Sequence, residues 1–290
     1  RYVDSLRADP KKIRDIQQIP FLPISFFKQS AIKTTQFEPE IIFESSGTTG
    51  NTTSKHFVKD LDLYRKSYLF GFELYYGEPA DWCIIGLLPS YLERGNSSLV
   101  WMVEQLIRAS RDDRSGFYLD QFEELSNLLK TLMASKKKTL LIGVTFALLD
   151  YAEQFPMKLE DTVVMETGGM KGRRNELTRL ELHEFLGKSF GLKTIHAEYG
   201  MTELLSQAYS KGNGIFNSPP WMKVLVREDD DPLEVRTAGE GVINIIDLAN
   251  LYSCSFIATD DLGKVHPDGS FEVLGRRDAS DLRGCSMLVI

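Results

Sequence analysis

The sequence is poor in the residues that form disulfides and zinc sites. Its 290 residues include three cysteines and four histidines. Cys83, Cys254 and Cys285 are widely spaced, which fits neither a disulfide framework nor a metal cluster. The histidines lack the paired spacing of a zinc site. No apolar run approaches the roughly 18 residues of a membrane span. These absences predict a protein of a reducing, cytoplasmic compartment.

The chain also has fewer basic than acidic residues. Its formal net charge of −7 at pH 7 argues against nucleic acid or an anionic membrane surface as the main partner. A bound phosphate would therefore depend on local donors. The hydrophobic content of 42% and the charged content of 26% are typical of a globular enzyme. The length allows one large domain or two small ones. Because the first residue is Arg1, we expect the natural N-terminus to lie further upstream.

The middle of the chain alternates between apolar runs and segments of helical periodicity. The predicted strands are at residues 82–88, 139–144, 162–165 and 194–197. The predicted helices are at residues 61–75, 96–109, 122–133, 146–155 and 175–190. In the last of these helices we expect Asn175 to be the N-cap and Gly191 the stop. This alternation predicts an α/β fold in which crossover helices connect the strands of a parallel sheet.

Three regions follow from the changes in pattern. Residues 1–40 are rich in proline and predict an N-terminal arm laid over a core, and residues 41–218 predict the α/β core. Residues 219–290 predict a small β-rich subdomain that ends in an Arg-Gly-Cys-Ser segment. Its predicted strands are short and lie at residues 223–226, 242–247, 255–259 and 271–274.

Hydroxyl side chains and glycines are concentrated in residues 43–55, FESSGTTGNTTSK. Glycine lets the backbone turn tightly, and consecutive N–H groups in such a turn form an anion-binding nest. The run follows Ile41 and Ile42 and precedes the predicted helix at 61–75, which is where phosphate loops lie. It lacks the G-x-x-x-x-G-K-[ST] pattern of nucleotide triphosphatases. The alternative is a solvated turn. The candidate phosphate-binding residues are Ser45, Ser46, Gly47, Thr48, Thr49, Gly50 and Lys55.

Two later segments place polar residues directly after predicted strands. Gly168 and Gly169 follow the strand at 162–165, at the sheet edge where ligands bind in doubly wound folds. Residues 199–203, YGMTE, follow the strand at 194–197. The alternatives are an ordinary turn for the glycine pair, and for YGMTE a turn whose threonine caps a following helix. A capped turn gives no reason for an aromatic residue followed by glycine.

The YGMTE segment offers a complete set of nucleotide contacts. Tyr199 offers a ring for a purine to stack on, and Gly200 allows its close approach. Thr202 offers a hydroxyl to a phosphate oxygen. Glu203 offers a hard oxygen ligand for a Mg²⁺ ion that bridges phosphates.

A last pair of motifs lies near the end of the chain. Residues 258–263, ATDDLG, include two adjacent acids that we expect in a turn, where the alternative is simple solvation. Residues 275–278, GRRD, follow.

Taken in order, these motifs resemble those of the adenylate-forming superfamily, which includes acyl-CoA synthetases and firefly luciferase. Residues 45–50 match its S-S-G-T-T-G loop letter for letter, and YGMTE matches its Y-G-x-T-E motif. Two features depart from the family pattern: Lys55 comes two positions late with no proline before it, and Asp260 replaces a glycine. The resemblance implies the N-terminal core of that fold, acting on a carboxylic acid with ATP and Mg²⁺.

The resemblance also implies roles for single residues. The hydroxyls of the loop and Lys55 would hold the β- and γ-phosphates, while Thr202 and Glu203 would hold the α-phosphate and Mg²⁺. Gly168 and Gly169 would border the adenine, on which Tyr199 would stack. Asp261 and Arg276 would hold the ribose.

The end of the chain differs from most of that superfamily. The usual C-terminal lid domain with its catalytic lysine is expected to be missing, since the sequence stops at Ile290. Residues 54–56, 91–99 and 282–289 resemble the LuxE-type acyl-protein synthetases, in which a fatty acyl group passes from the adenylate to a cysteine. Cys285 occupies the matching place; its alternative is a small buried apolar residue. Three other functions stay open: a coenzyme A ligase of the phenylacetate type, a nucleotide-binding subunit without turnover, and a structural domain.

Overall fold

The computed structural model describes residues 2–6, 8–45, 53–88, 96–168 and 177–277. Within these ranges the α-helices are α1 (Tyr2–Ser5), α2 (Phe26–Gln29), α3 (Leu61–Tyr76), α4 (Ser98–Ser110), α5 (Phe122–Ala134), α6 (Thr145–Gln154) and α7 (Arg179–Phe190). The strands are β1 (Leu22–Pro23), β2 (Ile41–Glu44), β3 (Lys55–Val58), β4 (Cys83–Leu87), β5 (Gly116–Phe117), β6 (Thr139–Gly143), β7 (Thr162–Glu166), β8 (His196–Tyr199), β9 (Ala208–Ser210), β10 (Ile215–Asn217), β11 (Met222–Arg227), β12 (Val235–Arg236), β13 (Gly239–Asp247), β14 (Phe256–Val265) and β15 (Phe271–Arg276). None of these helices is long and apolar enough to cross a membrane.

One half of the main sheet is parallel, as the alternating sequence pattern predicts. Its strand order is β5-β4-β6-β7-β8, and α4 to α7 connect the strands. Every residue of β4 and β6 is buried, because parallel strands covered on both faces are continuous apolar runs. The carboxyl ends of β6, β7 and β8 therefore meet at one edge, and the glycine pair and YGMTE follow two of these strands.

The other half of the sheet is antiparallel and continues from β8 without a break. The order is β8-β9-β10-β15-β14-β13-β11-β12. β14 pairs with β15 and contains a register shift between Leu262 and Gly263. The ATDDLG motif therefore lies within a strand, and its predicted turn is wrong. The domain boundary at residues 218–219 stays a prediction.

The N-terminal segment is attached to this antiparallel half. β1 pairs in parallel with β14, where Leu22 lies opposite Ile257. Phe21, Ile24 and Phe27 are buried beside it. An extended segment laid over the core is what the sequence predicts for this region, and hydrophobic burial is what holds it there.

The structure corrects two further details of the predicted elements. Helix α7 begins at Arg179 rather than at residue 175, because Thr178 and Glu181 form a reciprocal capping box there. Its predicted stop at Gly191 is confirmed, with the glycine in the left-handed conformation at φ 63°. The strand predicted at residues 194–197 is β8, two residues later.

The Ser/Thr/Gly run also lies in a different context from the one predicted. It connects β2 to β3, which pair as an antiparallel hairpin with Glu44 opposite Lys55. Helix α3 begins at Leu61, where the sequence predicts it. Strand β3, which the sequence analysis did not predict, lies between the run and that helix.

The close pairing of β14 and β15 leads to a first prediction. A Cβ on Gly263 would lie 2.5 Å from Cδ1 of Ile243 and 2.6 Å from the carbonyl oxygen of Glu272. Gly263→Ala should therefore lower the free energy of unfolding by about 1–3 kcal/mol, as overpacking does. Gly116→Ala is the matched control, because nothing lies within 4 Å of a Cβ at that strand position. Urea denaturation measures both, and equal losses would contradict the prediction.

Candidate functional site

The β2–β3 hairpin presents the two ends of the Ser/Thr/Gly run. Ser45 Oγ accepts a hydrogen bond of 2.9 Å from the backbone N–H of Ser54. Lys55 Nζ lies 3.5 Å from Glu44 Oε1, and both side chains are substantially exposed. Lys55 is therefore paired across the hairpin, and its phosphate contact stays a prediction. The other predicted loop residues, Ser46, Gly47, Thr48, Thr49 and Gly50, lie outside the described residues.

His56, the next residue of β3, connects the hairpin to the YGMTE segment. Its Nδ1 lies 2.8 Å from the carbonyl oxygen of Thr202, and its Nε2 lies 3.0 Å from Oδ1 of Asn250. Asn250 Nδ2 in turn donates to the carbonyl oxygen of Glu203 over 2.7 Å. Burial lowers the pKa of His56 to about 4. At neutral pH the ring thus has one N–H, which it donates to one of two oxygens.

The carboxylate of Asp247 accepts hydrogen bonds from the residues that follow Glu203. Its Oδ2 accepts from the backbone N–H of Leu205 at 2.8 Å, and its Oδ1 accepts from Ser206 Oγ at 2.5 Å and from the N–H of Ala249 at 3.1 Å. Residues 201–207 form a turn that leads into β9 without a helix. The alternative in which Thr202 caps a helix is therefore wrong, and side chains rather than secondary structure hold this turn.

Glu203 is a buried carboxyl group with no ion-pair partner among the described residues. Only 5% of the surface of Glu203 is exposed. Burial raises its pKa, while a hydrogen bond with Ser54 and the charges of Arg276 and Lys28 oppose the rise. A buried acid in this state is stabilised by a cation. The described residues contain no cluster of three metal-ligating side chains, so a cation at Glu203 would need oxygens from a ligand as well.

Tyr199 and Asp261 meet although 62 residues separate them. The Tyr199 hydroxyl donates to Asp261 Oδ2 over 2.7 Å. The ring of Tyr199 packs edge-on against Phe216 and Phe271, with centroid distances of 6.0 and 5.5 Å. Burial raises the pKa of Asp261, whereas the bond from Tyr199 and the charge of Arg276 oppose it. The structure thus brings together three of the predicted nucleotide-binding residues, namely Tyr199, Asp261 and Arg276.

The two acids of the ATDDLG motif have different surroundings. Neighbouring residues of a strand point to opposite faces. Asp261 contacts Tyr199, whereas the charge of Asp260 acts on Arg227. This arrangement favours Asp261 for the predicted ribose contact, which stays a prediction.

Gly168 follows β7 by two residues and lies beside another buried carboxylate, that of Glu166. Its φ of 72° is left-handed, a conformation that favours glycine, and its N–H donates to Glu166 Oε2 over 2.6 Å. Burial raises the pKa of Glu166, but His183, Arg179 and the Gly168 N–H outweigh it and lower the pKa overall. Arg179 Nε lies 3.1 Å from Glu166 Oε1. Gly169 lies outside the described residues.

Glu198 is a further buried acid, and its charge state differs from that of Glu166. Burial, reinforced by the charge of Glu166, raises the pKa of Glu198 to about 8, so it is protonated at neutral pH. Its Oε1 fills the space beside Gly200, 2.4 Å from where a Cβ would lie. The space predicted for a purine at Gly200 is thus taken on this side by a carboxyl group. Gln207 Oε1 and the Tyr209 hydroxyl, buried nearby, have no hydrogen-bond partner among the described residues.

Two of the three cysteines lie within the described residues. Cys83 is fully buried in β4, and Cys254 is partly buried. Burial raises the pKa of both thiols, which makes them poor nucleophiles. Cys285 lies outside the described residues.

The protonated state of Glu198 leads to a prediction about how the free energy of unfolding depends on pH. Between pH 4.5 and about 8 the native state holds one proton more than the unfolded state, so stability falls as pH rises. Glu198→Gln should remove this slope, up to about 1.4 kcal/mol per pH unit. Glu184→Gln, on the exposed face of α7, is the control and should leave the slope unchanged. Urea denaturation from pH 5 to 8 measures the slope of the free energy of unfolding against pH. Equal slopes for wild type and Glu198→Gln would contradict the raised pKa of Glu198.

Comparison with known proteins gives matches only at the level of structure. No protein-family model and no curated protein sequence matches the chain. MatB from Rhodopseudomonas palustris aligns over 84% of this chain and 49% of its own, with 17% identity and a TM-score of 0.59. The o-succinylbenzoate-CoA synthetase MenE from Bacillus subtilis, in complex with its acyl-adenylate intermediate, aligns over 81% of this chain and 49% of its own, with 20% identity and a TM-score of 0.55.

A second MenE structure, with ATP and a magnesium ion, aligns over 81% of this chain and 50% of its own, with 18% identity and a TM-score of 0.52. The chain thus spans about half the length of the structures it matches. At these identities the likeness concerns the fold. The chain has the α/β fold of the core of adenylate-forming acyl-CoA synthetases.

Proposed function

We propose that this protein uses ATP to activate a carboxylic acid as an acyl-adenylate. The observation that best supports the proposal is the position of Glu203. This buried, unpaired acid lies beside Ser54 of the hairpin and in the field of Arg276, which also acts on Asp261. A phosphate loop, a cation ligand and a sugar-binding acid are the parts that ATP needs, and the likeness to MenE is consistent with them.

The first reaction needs positioning more than covalent catalysis by the protein. A carboxylate oxygen of the substrate attacks the α-phosphorus of ATP. The bond from that phosphorus to the bridging oxygen breaks, and its electron pair leaves with pyrophosphate. Oxide is a poor leaving group from a carboxylate, whereas AMP is a good one. The protein therefore contributes alignment of the two reactants and neutralisation of their charges.

Glu203 is suited to hold Mg²⁺, because the ion would provide the positive charge that this buried acid lacks. When bound, Mg²⁺ would neutralise charge on the phosphate oxygens. Thr202 would donate its hydroxyl to the α-phosphate, and the residues of the 45–50 loop with Lys55 would hold the β- and γ-phosphates. Tyr199, fixed by Asp261 and two phenylalanines, would present its ring to the adenine next to Gly168. Asp261 and Arg276 would contact the ribose.

For the second reaction we propose transfer to a thiol, following the LuxE resemblance. The Cys285 thiolate would attack the acyl carbonyl carbon, the bond to AMP would break, and AMP would leave with that electron pair. The thioester would then pass its acyl group to a partner protein. The proposed acid is a fatty acid, on the same resemblance. Coenzyme A is the second candidate acceptor, since MatB and MenE structures are among the matches and MenE is a coenzyme A synthetase.

The role of Glu203 predicts a strong dependence of adenylation on its charge. Glu203→Gln keeps the shape of the side chain but removes the charge, and should lower acid-dependent ATP–pyrophosphate exchange at least ~100-fold, about 2.7 kcal/mol in the barrier. Asp260→Asn removes a nearby charge that faces Arg227, and should change the rate far less. Exchange at the wild-type rate in Glu203→Gln would exclude this residue as the metal ligand.

The role of Cys285 predicts that the two reactions can be separated. Cys285→Ser should retain pyrophosphate exchange but lose hydroxylamine-sensitive labelling by a radioactive acid. Cys254→Ser is the control and should label like wild type, because that thiol is partly buried and has a raised pKa. Labelling of Cys285→Ser at the wild-type level would exclude the thioester. If wild type does not label but forms acyl-coenzyme A, the coenzyme A ligase function replaces this one.

A further inference from the structure

Three buried polar side chains hold the backbone of residues 202–206 from two directions. We call His56, Asp247 and Asn250 the bracket; their residues are 1%, 0% and 0% exposed. His56 belongs to β3, Asp247 ends β13 and Asn250 follows in the next turn. The bracket therefore joins the hairpin that carries the Ser/Thr/Gly run to the antiparallel half of the sheet, with the YGMTE turn between them.

The turn depends on the bracket because it has little structure of its own. The backbone hydrogen bond inside it is from Leu204 N–H to the Met201 carbonyl oxygen, 3.1 Å. The bracket contacts the carbonyl oxygens of Thr202 and Glu203 and the N–H of Leu205. Fixing two successive carbonyl groups fixes the direction in which the side chains of Thr202 and Glu203 leave the backbone.

We propose that His56 is a positioning residue for Glu203 and couples the position of the phosphate-loop hairpin to the metal-binding turn through its Nδ1 contact with Thr202. The inference rests on the proposed function, in which Glu203 holds Mg²⁺. Outer-shell partners of metal ligands typically change metal affinity by about 10–100-fold when they are lost. In the tautomer with its proton on Nδ1, the His56 ring donates to the Thr202 carbonyl oxygen, and loss of the contact leaves that carbonyl group without this donor.

Two conservative substitutions separate the two contacts of His56. The amide nitrogen of an asparagine side chain takes roughly the place of Nδ1, and that of a glutamine roughly the place of Nε2. His56→Asn thus keeps a donor for the Thr202 carbonyl oxygen, whereas His56→Gln keeps a group near Asn250. Thr139→Val is the matched control, since it deletes one hydrogen bond of a fully buried side chain at the far end of β6, Thr139 Oγ1 to the Lys137 carbonyl oxygen.

The test measures binding of a fluorescent ATP analogue to the full chain as a function of Mg²⁺ concentration, with thermal unfolding in parallel. In His56→Gln the Mg²⁺ concentration for half-maximal binding should rise at least about tenfold. His56→Asn should stay within about threefold of wild type, a partial rescue by the retained donor. Thr139→Val should melt at a lower temperature with no change in Mg²⁺ dependence.

Three outcomes would overturn the proposal: wild-type Mg²⁺ dependence in His56→Gln, the reverse ranking of the two variants, or a similar shift in Thr139→Val. If His56→Gln does not fold, Asn250→Ser, which removes the donor to the Glu203 carbonyl oxygen, should show the same tenfold rise, and its absence counts against the bracket. If wild type binds the analogue and the variants show the expected shifts, but wild type exchanges no pyrophosphate with any acid, the role of the bracket stands and the proposed function fails. If wild type does not bind the analogue, both fail.

Discussion

The hydrogen bond between Tyr199 and Asp261 is the contact on which the geometry of the site depends. Tyr199 ends the last parallel strand, and Asp261 lies in the middle of an antiparallel strand four places along the sheet. For the two to meet, the sheet must curl so that β8 and β14 approach each other. Phe216 and Phe271, from the strands between, fill the space under the bond. The parallel half and the antiparallel half therefore share one site because the sheet that joins them is continuous.

Buried acids are the common feature of this site, and the chain stabilises each in a different way. Glu166 has Arg179 and His183, Asp247 has backbone N–H groups and a serine, and Asp261 has a tyrosine hydroxyl. Glu198 keeps its proton instead. Glu203 has a hydrogen bond with Ser54 and, among the described residues, no ion-pair partner. Since an uncompensated buried charge is costly, Glu203 is the acid that we propose to hold a cation.

The sequence predicted the parallel strands and most helices and singled out the segments of the candidate site, because apolar periodicity and glycine-rich turns are local features. By motif register it predicted Asp261 rather than Asp260 as the ribose contact, which stays a prediction; the structure adds that Asp261 accepts a hydrogen bond from Tyr199. His56, Glu198 and Asn250 were not identified, since their partners lie far away in the chain and no local pattern marks them. Strand β3 was not predicted for the same reason: the pairing of β2 with β3 is decided by a partner strand and not by the loop itself.

The attachment of β1 to β14 has a consequence for how the chain comes to be folded. Leu22 pairs with Ile257, so these contacts close a loop of more than two hundred residues. During synthesis, which proceeds from the N-terminus, Phe21, Ile24 and Phe27 emerge long before the surface that buries them exists. The parallel half can form while translation continues, but the antiparallel half waits for its last strands. This apolar segment thus leaves the ribosome early but is among the last parts of the described structure to be buried, so its side chains stay exposed to other proteins in the interval.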